Sequence, residues 1–461
     1  MNKFYTALFS LFLGSSLQAQ ELTAQQAMRE AMEKNPSLSA ALAEKKRAGF
    51  AVEVEERRFT TNVAAESKYS HQLATGLGAA SDSMIFLTEM SKVFTPGTQL
   101  SAGVTLNYTA LEAASNTAGV NLTVSLVQPL MQGFGAPINR ASLYAAQYNQ
   151  EASRSSFDST SSALLRDVLS AYWELWYAQQ ALKIEERSLE TIQAQLKEAQ
   201  LKIDAGALAP SGSLSLQTEE ASIQEQLASA QADVTLRALA LSTLLGRGAS
   251  TSLVATDNPS SSAALPSLEE LSSRVEAASF ELKQLSANID LAQLSLRTTK
   301  DLKRPKVNAV GQLQLSSTSG DAADAGGQAA GFVGLRFESP ASQVGARAEE
   351  SRALLALSSA QDRFDSTRDL ISQQVSTQVE KINTGTYRLS LSEKTAALSA
   401  ATVAAEKARF DAGVGTALEL IRVQQQEREA RLRVLRIQVD LVIARLALDH
   451  LTGDLLTQTT L

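Results

Sequence analysis

"KIDAGALAPSGSLSLQ" (Lys202–Gln217) and "RFDAGVGTALELIRVQ" (Arg409–Gln424) say nearly the same thing 207 positions apart. Holding that offset, Asp204-Ala205-Gly206 falls on Asp411-Ala412-Gly413, Gln217 on Gln424 and Glu220 on Glu427. Leu239-Ala240-Leu241 falls on Leu446-Ala447-Leu448, and Gly246 on Gly453, without a gap. One shared tripeptide is cheap, but a whole register of matches is not. The chain is an internal duplication, and its fold is to be read as two copies of one unit.

The first residues stand outside that unit. Lys3, an apolar run from Phe4 to Leu13 and the small or polar "SSLQAQ" make residues 1–19 a secretory signal peptide, cut after Ala19. No later stretch has 18 consecutive apolar residues, so no transmembrane helix is expected. Zero cysteines exclude a disulfide framework and a thiolate metal site, and suit an exported chain. The net charge of -7 is spread along the sequence. No basic cluster marks a nucleic-acid surface, and no nucleic-acid partner is expected.

Ala, Leu, Ser, Gln and Glu dominate and proline is scarce, a composition for long helices. The first copy, residues 20–250, predicts helices over Thr23–Arg58, broken at Asn35-Pro36, over Asn139–Ala205, and over Ser213–Leu245, capped by Gly246. After a linker at 251–266, the second copy, residues 267–461, repeats them over Ser267–Lys303, Ala341–Ala412 and Ala417–Leu451. At 1.5 Å per residue the longest are about 100 Å and the others about 50 Å, so two short helices end to end match a long one. In the last helix Leu432, Leu435, Val439, Val442 and Leu446 form a coiled-coil seam. Val434, Ile437, Leu441, Ala444 and Leu448 form a second. Two seams give a helix neighbours on both sides, like a stave in a wall; a thick soluble bundle is the alternative.

Between the helices the period changes to two. "TQLSAGVTLNY" (Thr98–Tyr108) and "GVNLTVSL" (Gly119–Leu126) alternate in the insert at about 60–130. "NAVGQLQLS" and "GFVGLRFES" form a hairpin at about 306–339, around the loop "STSGDAADAGGQAA". Strands of nine to eleven residues cross a membrane in a tilted barrel; a surface hairpin is the alternative. "SMIFLTEMSKVF" (Ser83–Phe94) adds another strand, joined to the next by the turn Thr95–Thr98. Counted by direction, the first copy offers four strands and the second two. Glu89 and Lys92 then point to opposite faces, which requires Lys92 to lie at a rim, because a lipid-facing charge at mid-membrane costs about 2–4 kcal/mol.

These residues resemble the TolC-like outer-membrane efflux protein family. The resemblance is carried by "ELTAQQAMREAMEKNPSL" (Glu21–Leu38), "VSLVQPLMQGFGAPINRASLYAAQ" (Val124–Gln147), "LSAYWELWYAQQALKI" (Leu169–Ile184), and the two Asp-Ala-Gly turns with "LSTLLGR" and "LDHLTGD". It implies an α+β membrane protein. Internally duplicated, long α-helical coiled-coil hairpins would form a periplasmic α-barrel, and transmembrane β-strands a trimeric β-barrel. It implies a homotrimer in the bacterial outer membrane, in contact with outer-membrane lipid, and no enzyme activity or cofactor. Such a trimer is the exit duct of a tripartite efflux system, working with a periplasmic adaptor (membrane fusion) protein and an inner-membrane pump of RND or ABC type. The outer-membrane component of a type I protein secretion system, and a soluble periplasmic coiled-coil adaptor, are the alternatives.

The resemblance also places the two turns at the periplasmic tip, where adaptor hairpins dock. Asp204, Ala205, Gly206, Ala207, Leu208 and Ser211 would form one turn. Asp411, Ala412, Gly413, Val414 and Thr416 would form the other. The best-known member closes its tip with a tyrosine and an arginine bonded to a threonine and an aspartate. Those places hold Phe410, Gly415, Ser211 and Gly212 here, so that closing network is not expected. A ring of acids inside the tip maps to Glu419 and Arg422, of which only the first is acidic. Phe410, Glu419 and Arg422 are the candidate pore constriction.

His71 and His450 are the only histidines, and neither has a catalytic or metal-binding spacing around it. Tyr172, Trp173, Trp176 and Tyr177, spaced as neighbours on one helix, read as packing between helices. The family's usual plan has two strands per copy, twelve in the trimer. Six strands per protomer, or a hairpin lying outside a twelve-stranded barrel, are both open from the sequence.

Overall fold

The computed structural model describes residues 20–73, 80–111, 114–205, 213–248, 253–259, 265–319, 326–340 and 342–457. The expected signal peptide lies outside them. In chain order the first elements are β1 (Gln20–Leu22), α1 (Ala24–Lys34), α2 (Pro36–Glu56), β2 (Asn62–Gln72) and β3 (Ser81–Val93). Then come β4 (Gln99–Leu111), β5 (Ala114–Pro129), α3 (Ala136–Asn139), α4 (Ala141–Asp204) and α5 (Leu214–Leu244). The second half holds β6 (Leu253–Ala255), α6 (Leu268–Ala278), α7 (Phe280–Leu302), β7 (Lys306–Ser319) and β8 (Gly326–Glu338). It ends with α8 (Val344–Asp411), α9 (Ala417–Leu451) and α10 (Asp454–Thr457).

Apart from β2, β3 and the one-turn helices α3 and α10, the two copies match element by element, down to their caps. Thr23 caps α1 and Ser267 caps α6, each accepting the N–H three residues on. Asn35 separates α1 from α2, and Ser279 separates α6 from α7. The second break corrects the single helix expected over Ser267–Lys303. Pro36 announces the first break; at Ser279 only a small hydroxyl does, taking the Leu282 N–H at 3.4 Å. These pairs lie 244 positions apart, whereas Asp204 and Asp411 lie 207 apart. The first copy therefore carries 37 extra residues between its helices, the length of one hairpin.

The chain divides into two compact units. One holds residues up to 43, 155–282 and 366 onward; the other holds 44–154 and 283–365. The first is helical. Its core gathers Ala27 and Ala31 of α1, Leu165, Val168, Tyr172 and Leu175 of α4, Leu241 of α5, and Val439 and Leu446 of α9. Both seams of α9 are occupied. Leu435, Val439, Val442 and Leu446 enter this core, while Val434, Ile437 and Leu441 pack with Ile382 and Leu389 of α8. The approach to α8 is close: a Cβ on Gly385 would come 2.7 Å from Leu441. Exposed apolar side chains lie instead along α8, at Leu370, Tyr387, Leu391 and Leu398.

Tyr172 organises a feature the sequence did not announce. β1 and β6, three residues each, pair in parallel, the second within the expected linker. The buried Tyr172 hydroxyl donates to the Leu22 carbonyl at 3.0 Å and accepts the Thr256 and Asp257 N–H groups at 3.1 and 3.0 Å. Gln179 supplies a further donor to Leu253 and an acceptor to Ala255. Trp173 stands edge-on to Tyr172, with ring centroids 5.2 Å apart. The aromatic cluster is core.

The second unit contains one antiparallel sheet in the order β2-β3-β4-β5-β7-β8. Its registers sort the side chains by face. Val63 and Tyr69 of β2, Met84, Phe86 and Met90 of β3, and Leu100, Val104 and Leu106 of β4 share one face. Val120, Leu122 and Val124 of β5, Leu313 and Leu315 of β7, and Val333, Leu335 and Phe337 of β8 continue it. The opposite face carries Glu66, Lys68, Glu89, Ser101, Thr105, Asn121, Thr123, Gln312, Gln314 and Arg336. Glu89 and Lys92 do lie on opposite faces. Lys92 sits at the end of β3 beside the turn, with Nζ 5.3 Å from the Phe94 ring centre. At the other end of that face, Asp82 accepts the Tyr69 hydroxyl at 2.7 Å and lies 2.6 Å from His71 Nδ1. Ionisable groups on the apolar face are thus confined to its two ends. Gly97, at φ +96°, turns the chain from β3 to β4.

Candidate functional site

The two Asp-Ala-Gly turns end the two longest helices. α4 ends at Asp204, and Ala205 closes its last turn by donating to the Leu201 carbonyl at 3.0 Å. Gly206, Ala207, Leu208, Ser211 and Gly212 lie outside the described residues. The second turn is described in full. After Asp411, the N–H groups of Val414 and Gly415 both reach the Arg409 carbonyl, at 2.9 and 3.0 Å, and Gly413 donates to Phe410 at 3.0 Å. This satisfies carbonyls that a helix end otherwise leaves orphaned.

Each glycine of that turn has its own reason. Gly413 adopts φ +76°, a left-handed conformation that costs an L-residue roughly 1–2 kcal/mol. A Cβ there would meet nothing within 4 Å, so the constraint is backbone geometry alone. Gly415 is excluded by space: its Cβ would lie 2.9 Å from Glu406 Oε1 and 3.1 Å from the Phe410 nitrogen.

α9 then starts with a capping box. Thr416 Oγ1 accepts the Glu419 N–H at 3.2 Å, and Glu419 Oε2 accepts the Thr416 N–H at 3.4 Å. Glu419, expected in a ring of acids, has its carboxylate turned back on the helix start. The signal for this was present, because Thr-x-x-Glu before an apolar run is the capping-box pattern. Arg422 is exposed one turn further on. Between these rigid ends, Val414 and Leu418 stand out into solvent, 73% and 67% exposed.

Phe410 is half-buried, with Lys202 Nζ 5.2 Å above its ring centre. This cation–π contact joins the last turns of α4 and α8 at one of the places where the closing network was not expected. Lys202 also pairs with Glu198 at 2.7 Å. Beside Phe410 runs a groove of about 320 Å³ lined by Gln195, Glu198, Lys407 and Leu420 among others. Gln195 is 7% exposed, and neither of its amide atoms has a hydrogen-bond partner among the described residues. No pattern of residues marks that orphan amide, since a glutamine in a helix is ordinarily solvated.

Further along the same helices, buried Arg428 of α9 lies 3.7 Å from Glu185 of α4 and 3.6 Å from Glu219 of α5. Gln425 donates to Glu219 at 2.6 Å. Burial pushes the Glu185 carboxyl up, while the Arg428 charge opposes that rise. One cation thus ties the helices of the first turn to the helix leaving the second. His450 takes no part in any such cluster. Its Nδ1 lies 2.7 Å from Ser162 Oγ, and burial, reinforced by Arg166, lowers its pKa to about 4. It is a neutral, half-buried packing residue.

Among the described residues no group of three or more His, Asp or Glu is arranged to hold a metal. No described helix is long and apolar enough to cross a membrane.

Comparison with known proteins gives this geometry its context. A family model for outer membrane efflux protein matches residues 27–247 and 271–454. No curated protein matches the sequence. Solved structures share the fold along nearly the whole length. The CusC structure covers 93% of this chain and 92% of its own at TM-score 0.70 and 14% identity. The outer membrane protein VceC from Vibrio cholerae covers 93% and 96% at TM-score 0.69 and 14% identity. The MtrE outer membrane channel of Neisseria gonorrhoeae, solved in its open state, covers 95% and 93% at TM-score 0.69 and 17% identity.

Proposed function

Because this chain belongs to the outer membrane efflux protein family, an outer-membrane channel family without enzymatic activity, we propose that it is the passive exit duct of a tripartite efflux system. Three protomers assemble around one channel. An inner-membrane pump loads it through a periplasmic adaptor, and substrates leave through the outer membrane without chemistry on the protein. The observation that carries the tripartite reading is the Asp411–Thr416 turn. It is rigid at both ends, through the bonds to Arg409 and the Thr416–Glu419 capping box, yet presents Val414 and Leu418 to solvent. An apolar knob on a fixed helical turn suits docking with a helical hairpin of an adaptor.

The first turn, with Asp204, Ala205, Gly206, Ala207, Leu208 and Ser211, is proposed as the other half of the docking surface. The Lys202–Phe410 contact then replaces the tyrosine and arginine network as the link between the turns. Arg422, exposed one turn inside, is the proposed charge at the constriction in place of an acid ring.

The test is efflux in cells lacking the gene. Such cells are expected to accumulate an amphiphilic dye, and the wild-type chain to restore its exclusion. Gly413→Val should reach the outer membrane at normal level yet fail to restore it. Unchanged dye accumulation on deletion, together with loss of a secreted protein, would move the chain to type I secretion instead.

A further inference from the structure

β2 and β8 are the two edges of the six-stranded sheet, and each leaves a row of backbone groups unpaired. In the hydrocarbon of a membrane every such group costs several kcal/mol. Edges that remain free in proteins are guarded by proline, bulges or inward charges. β2 (NVAAESKYSHQ) and β8 (GGQAAGFVGLRFE) contain no proline. Their pairings with β3 and β7 run without a register shift. The charges Glu66, Lys68 and Arg336 all lie on the polar face and leave the apolar face clear. These are edges built to be paired.

The topology specifies the partner. Six strands cannot close on themselves, since the smallest natural membrane barrels have eight. Every neighbouring pair in the sheet is antiparallel. With six strands, β2 and β8 therefore run in opposite directions, so β2 of a second copy meets β8 antiparallel like all the rest. The faces also agree. Odd-numbered residues carry the apolar face in both β2 (Val63, Tyr69) and β8 (Val333, Leu335, Phe337). A join in like parity continues both faces, whereas a slip by one residue would invert them.

The 37-residue surplus of the first copy is thus not a flap beside the barrel. β3 pairs with β4 over all thirteen residues from Ser81 to Val93, and β2 pairs with β3 over its full length. We infer that β8 of one protomer pairs with β2 of the next, and that the trimer closes an eighteen-stranded barrel in place of the family's usual twelve. The inference rests on the trimeric reading above. Barrel diameter grows roughly linearly with strand number, so the membrane pore is about 1.5 times as wide, with about 2.3 times the cross-section. Its lining is the polar face, rich in Asn, Gln, Ser and Thr. This is the width at which natural barrels of 16–18 strands hold a water-filled channel. Bulky hydrophilic cargo is the substrate class that such a mouth admits.

The chain has no cysteine, so introduced pairs are its only thiols. Ala64→Cys or Glu66→Cys in β2 is combined with Ala330→Cys or Phe332→Cys in β8, all on the polar face, and oxidised in outer-membrane vesicles. At least one combination is expected to give covalent trimers on a non-reducing gel. Ser101→Cys or Thr105→Cys in β4, with the same β8 partners, is expected to leave monomers. Trimers from the β4 set, and none from the β2 set, would place the extra hairpin outside a twelve-stranded barrel and overturn the inference. Electron cryomicroscopy of the wild-type particle in detergent counts the strands independently of any variant. Three chains with eighteen strands support the inference, and three chains with twelve overturn it alone. A particle of another chain number would overturn the trimeric reading itself.

Discussion

The Asp301 carboxylate accepts the Gly133 N–H at 2.8 Å, tying the last turn of α7 to the loop that leaves β5. Asp301 is buried, and Gly133 holds φ +80°. Asn139 completes the joint by donating to the Gly133 and Gly135 carbonyls at 2.7 and 3.0 Å. The Leu130 and Gln132 N–H groups reach the carbonyls of Val307 and Pro305, which fixes the base of β5 beside β7. Strands from both copies are aligned here by one carboxylate.

Removing that carboxylate should loosen the joint. Asp301→Ala takes the charged acceptor from the half-buried Gly133 N–H, a loss of about 1–3 kcal/mol. The urea midpoint of the extracted protein should fall, and Asp301→Asn should recover part of the loss through its amide oxygen. Equal stability of all three proteins would show that the bond is not structural.

Tyr172→Phe probes the junction of β1 and β6. The ring keeps its packing against Trp173, but the Asp257 N–H loses its acceptor and the Thr256 N–H keeps only the longer bond to the Leu22 carbonyl, at 3.3 Å. A destabilisation of roughly 2 kcal/mol is expected, together with faster proteolysis in the stretch around residue 255. Unaltered proteolysis would contradict the pinning role.

The tip prediction separates backbone strain from bulk. Gly413→Val is expected to distort the turn by roughly 1–2 kcal/mol and to abolish export. Val414→Ser, which keeps the turn but removes the apolar knob, should reduce export several-fold at normal outer-membrane levels. Full export by both variants would remove the docking role.

His450 gives a pH dependence of defined sign. Its folded pKa, near 4, lies below the ordinary value of 6.5. The unfolded chain therefore binds a proton that the folded chain refuses as pH falls through that window. Stability is intact above about pH 6.5, declines between there and about pH 4 by on the order of 2 kcal/mol, and loses nothing further from this group below. Melting temperatures across that window should fall less for His450→Asn than for the wild type.

Much of this architecture is legible in the sequence. The helices of α4, α5, α8 and α9 follow from period and caps, and the seams of α9 name its neighbours on both sides. The apolar and polar faces of β4, β5 and β7 follow from alternation. β2 is less legible, because Glu66, Lys68 and His71 in "NVAAESKYSHQ" blur a pattern whose apolar members are only Val63, Ala65 and Tyr69. β1 and β6 are too short to show any period, and Tyr172 reads as core without revealing what its hydroxyl holds. The break at Ser279 has no proline to mark it. At the turn, the sequence places Glu419 by spacing, but its carboxylate serves the helix start. Lys202 meets Phe410 only because two helices 207 positions apart end side by side.

The account stands most directly on assembly in the outer membrane. The native mass of the particle extracted from purified outer membranes, measured in mild detergent, decides it. Three chains in one particle, recovered from the outer-membrane fraction, are the expected result. A monodisperse single chain, or recovery in the soluble periplasmic fraction, would contradict it.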